Sequence, residues 1–169
     1  MFSSLVRRSQ HCACLLFLTG AVPLLIAQDR AAVLQTAVSQ LKPGHAEAAV
    51  RILQPLIDSH PDDLQTCTLM GMAMTASGNV ENADPFFERA LHLRPMYPPA
   101  LRGLAMNELT LKHHEAAKTH FEQLLTLVPG DVAAQAGLGE IAFAQGNFAV
   151  ALQHLKQTGA LYQENPRLL

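Results

Sequence analysis

Tryptophan is absent from this 169-residue chain, aromatic residues make up 5% of it, and charged residues only 15%. The formal net charge is −2, which offers no basic field for gripping nucleic acid by its phosphates. Nucleic acid is therefore excluded as a partner. Disorder is excluded as well, because 49% of the residues are hydrophobic. Val, Ile and aromatic residues are scarce beside Ala and Leu, so helix is favoured over sheet. No Gly-rich phosphate loop, Gly-x-Ser-x-Gly turn or Asp-rich calcium loop occurs, and Gly137-x-Gly139 lacks the third glycine of a dinucleotide fingerprint. The length leaves room for about one domain.

What is present divides into two parts. Met1 to Gln10 is mostly polar and carries Arg7 and Arg8 without an acid. An apolar run from Cys12 to Ala27 follows, broken by Thr19, Gly20 and Pro23, and polarity returns at Gln28, Asp29 and Arg30. A basic start, a short apolar core and a small residue before a polar stretch form the pattern of an export signal. The run falls short of the ~20 residues that a spanning helix needs. The expected cut lies after Ala27, although Leu25 stands where a small residue is preferred. An uncleaved inner-membrane anchor over residues 12–27 is the alternative. Arg7-Arg8 lacks the apolar pair of a twin-arginine signal, and no Cys is placed for a lipid anchor. Cleavage would leave Gln28 to Leu169 with ten basic and fourteen acidic side chains, a net charge of −4, and one cysteine, Cys67. A single Cys gives no internal disulfide framework.

The remainder repeats with one fixed period. Pro61, Pro95 and Pro129 share one column; Ala49, Ala83, Ala117 and Ala151 share another. Ala37, Gly71, Ala105 and Gly139 form a small-residue column, and Leu53, Phe87, Phe121 and Leu155 a bulky one. Gly44, Gly78 and Gly146 align in a fifth column, where the third copy has Lys112. Within one copy, Leu64, Cys67, Met70, Gly71 and Met74 fall at helical spacing, and Ser77-Gly78-Asn79 interrupts them. Ala83, Phe87, Ala90 and Leu91 then mark a second helix, ended by Arg94-Pro95. The unit is helix, tight turn, helix, loop. Small residues let the paired helices approach, and stacked copies share a core that none could build alone.

In these columns the chain resembles the tetratricopeptide-repeat family, whose unit of about 34 residues has small residues at positions 8 and 20, a large one at 24 and Pro at 32. The resemblance covers about residues 30–165, as units 30–63, 64–97, 98–131 and 132–165. It departs at position 4, usually Trp, which holds Val33, Cys67, Leu101 and Gln135, and at position 11, usually Tyr, which holds Gln40, Met74, Glu108 and Ala142. Gln163 replaces the fourth Pro. The implied fold is an all-α, right-handed solenoid of four helix-turn-helix units over residues 28–169.

The resemblance also implies a concave groove lined by the first helix of each unit, where a protein or peptide partner binds. Its expected residues are Leu34, Val38 and Leu41; Thr68, Met72 and Thr75; Arg102, Met106 and Leu109; Glu140 and Phe143. These do not match the Lys and Asn by which some relatives hold chaperone carboxylates. An amphipathic helix or extended apolar peptide suits them better, since methionine adapts to varied surfaces. The competing reading is that these side chains pack helix on helix.

Chemistry finds little support. His113, His114 and His120 lack the i, i+4 spacing of a zinc helix, with Lys118 where the second ligand would stand. His120 and His154 share position 23 of neighbouring units. Cys67 reads as a buried apolar residue. No catalytic residue, metal or cofactor is expected. The expected function is a non-catalytic interaction scaffold of the bacterial cell envelope, periplasmic or extracellular, touching membrane only through an uncleaved signal. The alternative is an accessory or truncated segment of a larger enzyme or assembly machine. Tyr162 to Pro166 looks like the start of a fifth unit, so self-association through an uncapped C-terminal end is also open.

Overall fold

The computed structural model describes residues 22–42 and 44–164. Among them eight α-helices follow one another: α1 (Val22–Ser39), α2 (Ala46–Ser59), α3 (Leu64–Ala76), α4 (Val80–Leu93), α5 (Pro98–Thr110), α6 (His114–Leu127), α7 (Val132–Ala144) and α8 (Phe148–Glu164). No strand occurs among the described residues. Helices adjacent in sequence pack as antiparallel neighbours, and α1, α3, α5 and α7 also touch in series along one side. The chain is an all-α solenoid of four hairpins. Helix α1 begins at Val22, so the backbone is helical through Ala27, where the signal cut is expected. Arg7, Arg8 and the export segment up to residue 21 lie outside the described residues.

Turns and caps follow from single residues. Gly78 adopts φ +85°, and the Asn79 N–H donates to Met74 O at 2.9 Å, closing the end of α3. Asn79 does not cap α4 with its side chain; its Nδ2 donates to Ser77 Oγ at 3.1 Å. In the third unit Lys112 takes the same left-handed conformation at φ +62°. Asp63 and Asp131, two units apart, cap α3 and α7 by accepting the backbone N–H of Thr66 and Ala134 at 2.8 and 2.9 Å. The equivalent Tyr97 makes no side-chain cap, and α5 starts instead with Pro98, whose missing N–H needs no partner there.

The core is linear. One cluster joins Ala37, Leu53, Cys67 and Phe87 to Leu104, and a second joins Leu101, Phe121, Leu124 and Ile141. They meet at α5, and Leu91 packs against both. Phe87 fits because Gly71 and Gly103 face it: a Cβ at Gly103 would stand 2.4 Å from the ring. Phe121 fits against Gly137, where a Cβ would stand 2.3 Å away. Ala49, Ala83, Ala117 and Ala151 are buried, as are Ala37 and Ala105. Pro61, Pro95 and Pro129 lie in the loops between units.

Candidate partner-binding groove

The first helices of the four units present one face whose exposed residues lie in register. Val38 is 51% exposed, Met72 and Met106 41% each. They occupy the same position of successive units, and Glu140, also exposed, continues the column on α7. Phe143 lies one turn further along α7, exposed and edge-on to Phe148 with ring centres 5.5 Å apart. Val38, Met72 and Met106 thus form a row of exposed apolar side chains along α1, α3 and α5.

Other residues expected in the groove are placed differently. Leu109 is buried in the second core cluster. Thr68 is buried, with its hydroxyl 2.7 Å from Leu64 O, one turn back in its own helix. Leu34 and Leu41 are half-buried against the first cluster. The polar heads of two more are engaged inside the fold. Arg102 Nε donates to Asp131 Oδ2 at 2.9 Å, reaching from α5 to the residue that caps α7. The Thr75 hydroxyl lies 3.0 Å from Gly71 O and 2.9 Å from Asn107 Oδ1. The open surface thus reduces to Val38, Met72, Met106, Glu140 and Phe143. The expected residues split because positions 5 and 12 lie at the edge of the face, where the next unit reaches them.

The structure brings together polar groups that the sequence columns hide. Asn107 is fully buried, and its Nδ2 donates to Asp84 Oδ1 at 2.7 Å and to Val80 O at 3.3 Å. It joins α5 to α3 through Thr75 and to α4 through Asp84. Burial raises the Asp84 carboxyl pKa, against the opposing bond from Asn107. Asp63 pairs with Arg30 of α1 as Asp131 pairs with Arg102. Burial pushes the Asp63 pKa up, but the Thr66 hydroxyl and N–H together with Arg30 outweigh it and hold the carboxyl below its ordinary value. The repeat of Asp at 63 and 131 was the available signal for these ties, and the recurrence of Gly at 103 and 137 was the signal for the aromatic sockets.

The histidines go separate ways. His120 Nδ1 is 2.7 Å from Glu108 Oε2, and His154 Nδ1 is 2.7 Å from Gln135 Oε1. Among the described residues no three His, Cys, Asp or Glu side chains converge as a metal cage. The Cys67 thiol is buried, donates to Pro61 O at 3.1 Å, and has its pKa raised by that burial, opposite to an activated thiolate.

Comparison with known proteins agrees with this architecture. A family profile for the tetratricopeptide repeat matches residues 108–169. The anaphase-promoting complex subunit cut9 of Schizosaccharomyces pombe is 25% identical over 118 residues, 70% of this chain. The match spans only 18% of that relative's length. A crystal structure of MamA superposes with a TM-score of 0.71 at 16% identity, covering 87% of this chain and 86% of that one. MamA from Desulfovibrio magneticus RS-1 (residue 41 to the end) superposes with a TM-score of 0.69 at 22% identity, covering 79% and 75%. Likeness at these identities shows the fold alone. The fold is one that serves as a scaffold for protein–protein contacts. With its regular sequence period and its four stacked hairpins, the chain has the architecture of a tetratricopeptide-repeat array, and the family profile matches it over residues 108–169.

Proposed function

We propose that this chain is a non-catalytic scaffold of the bacterial cell envelope that holds a protein partner along α1, α3, α5 and α7. The observation that carries this reading is the column of Val38, Met72 and Met106, exposed on helices whose other large apolar residues are mostly buried or half-buried. Burying such side chains against a partner supplies about 25 cal/mol per Å² of apolar area. The envelope placement rests on the basic-then-apolar pattern of residues 1–27. Mass spectrometry of the protein from its native host tests it: an N-terminus at Gln28 supports export, and one at Met1 supports an anchor or no export.

The groove is tested by Met72→Glu combined with Met106→Glu. Both positions face solvent, so the variant keeps its helical circular dichroism and melting temperature while losing capture of partners from envelope extract. Undiminished capture would overturn the groove.

A second reading, an accessory segment of a larger enzyme or assembly machine, is favoured by one observation. Leu53, Phe87 and Phe121 are 0%, 1% and 0% exposed, whereas Leu155, in the same column, is 53% exposed. Among the described residues, the face that the following unit covers elsewhere is open on α8 at Leu155. A reading frame continuing past Leu169, or a stable co-purified subunit that buries Leu155, decides for this alternative.

A further inference from the structure

The face formed by α1, α3, α5 and α7 carries little free charge, and that limits what it can recognise. From Asp29 onward, the charged residues on α1, α3, α5 and α7 are Asp29, Arg30, Arg102, Glu108 and Glu140. Arg30, Arg102 and Glu108 are paired with Asp63, Asp131 and His120. Glu140 makes no ion pair among the described residues, is exposed, and is flanked one turn to either side by Ala136 and Ala144. It stands in the column of Val38, Met72 and Met106, one unit beyond the last apolar member. We infer that the occupant of this groove is an amphipathic helix whose apolar face meets Val38, Met72 and Met106 and which carries a Lys or Arg where it reaches Glu140.

This inference rests on the groove reading and adds the partner's chemistry. Packed helices lie about 8–10 Å apart, so the column advances by that step per unit. A helix laid across it rises about 10.8 Å over two turns. Apolar residues recurring every two turns therefore meet successive rungs from one face. The cation falls two turns past the last of them. An extended strand would leave its backbone N–H and C=O groups facing an apolar wall with few polar partners, whereas a helix satisfies its own. A partner acid near Glu140 would meet like charge without a neighbouring cation on α7 to relieve it.

The test uses fluorescence anisotropy of the full chain with labelled synthetic helical peptides six turns long. Each has leucine once per two turns and ends in either Arg or Glu. The Arg peptide is expected to bind about fivefold more tightly, the upper range for an exposed ion pair. Glu140→Lys should reverse that order while leaving the melting temperature unchanged. Equal binding of both peptides by both chains overturns the cation assignment and leaves the apolar groove standing. Binding of neither peptide by either chain overturns the groove and this inference together.

Discussion

His120 Nδ1 lies 2.7 Å from a carboxylate oxygen of Glu108, closing the third hairpin across α5 and α6. The bond to Glu108 raises the His120 pKa against the opposing pull of burial, with Glu88 adding to the rise. The folded chain therefore binds this proton more tightly than the unfolded one. The stabilisation is fully present below the unfolded histidine value of about 6.5 and is lost as pH rises through the folded value. His120→Gln should lower the melting temperature more at about pH 5.5 than at about pH 9. A gap between the two proteins that is constant with pH would refute the pairing.

Asp131 holds two elements at once, the first turn of α7 and the guanidinium of Arg102 on α5. Asp131→Ala should destabilise the chain by about 1–2 kcal/mol, chiefly through the lost cap. Urea unfolding measures it. Arg102→Ala should cost less, because the cap survives and the ion pair is partly exposed.

Asp63 has the corresponding role between α1 and α3, and its lowered pKa gives the opposite pH sense to His120. Its contribution is present above the unfolded carboxyl value of about 3.9 and is lost as pH falls through the folded value. Asp63→Asn should flatten the acid limb of stability against pH. An unchanged acid limb would show that the carboxylate is not held as described.

Gly137 is the socket of Phe121. Gly137→Ala adds helix propensity worth about 1 kcal/mol but forces the new Cβ against the ring, with an overpacking cost of about 1–3 kcal/mol. The expected net effect is destabilising. Adding Phe121→Leu, the residue type found at Leu53, should recover part of the loss. A double-mutant cycle showing no coupling between the two sites would contradict the contact.

Lys112 occupies the turn position that glycine fills in the other three units, with φ +62°. Lys112→Gly should raise stability by about 0.5–1 kcal/mol, since relief of the left-handed penalty exceeds glycine's added unfolded-state entropy. The gain is read as a higher midpoint of thermal unfolding. Gly78→Ala should move it the other way.

Period and composition determined the fold of this protein without any structure. Five columns repeated at one fixed period, with Ala and Leu abundant, admit stacked helical hairpins and little else, because spacing along a helix is a local property of the chain. Groove membership was legible only in part. Met72 and Met106 are exposed as their column implied, but Leu109 and Thr68 are buried, since a side chain at the edge of a helix face is covered or left open by the curvature and bulk of the next unit. The tertiary structure alone revealed that Arg102 is bound to Asp131, that Asn107 lies buried between three helices, and that Phe87 and Phe121 rest on glycines of the following unit. The Asn107 and Phe contacts join residues of neighbouring units, and Arg102 holds the residue that caps the next unit's first helix, so all depend on a stacking interface whose register is set by packing and not by any one unit's sequence.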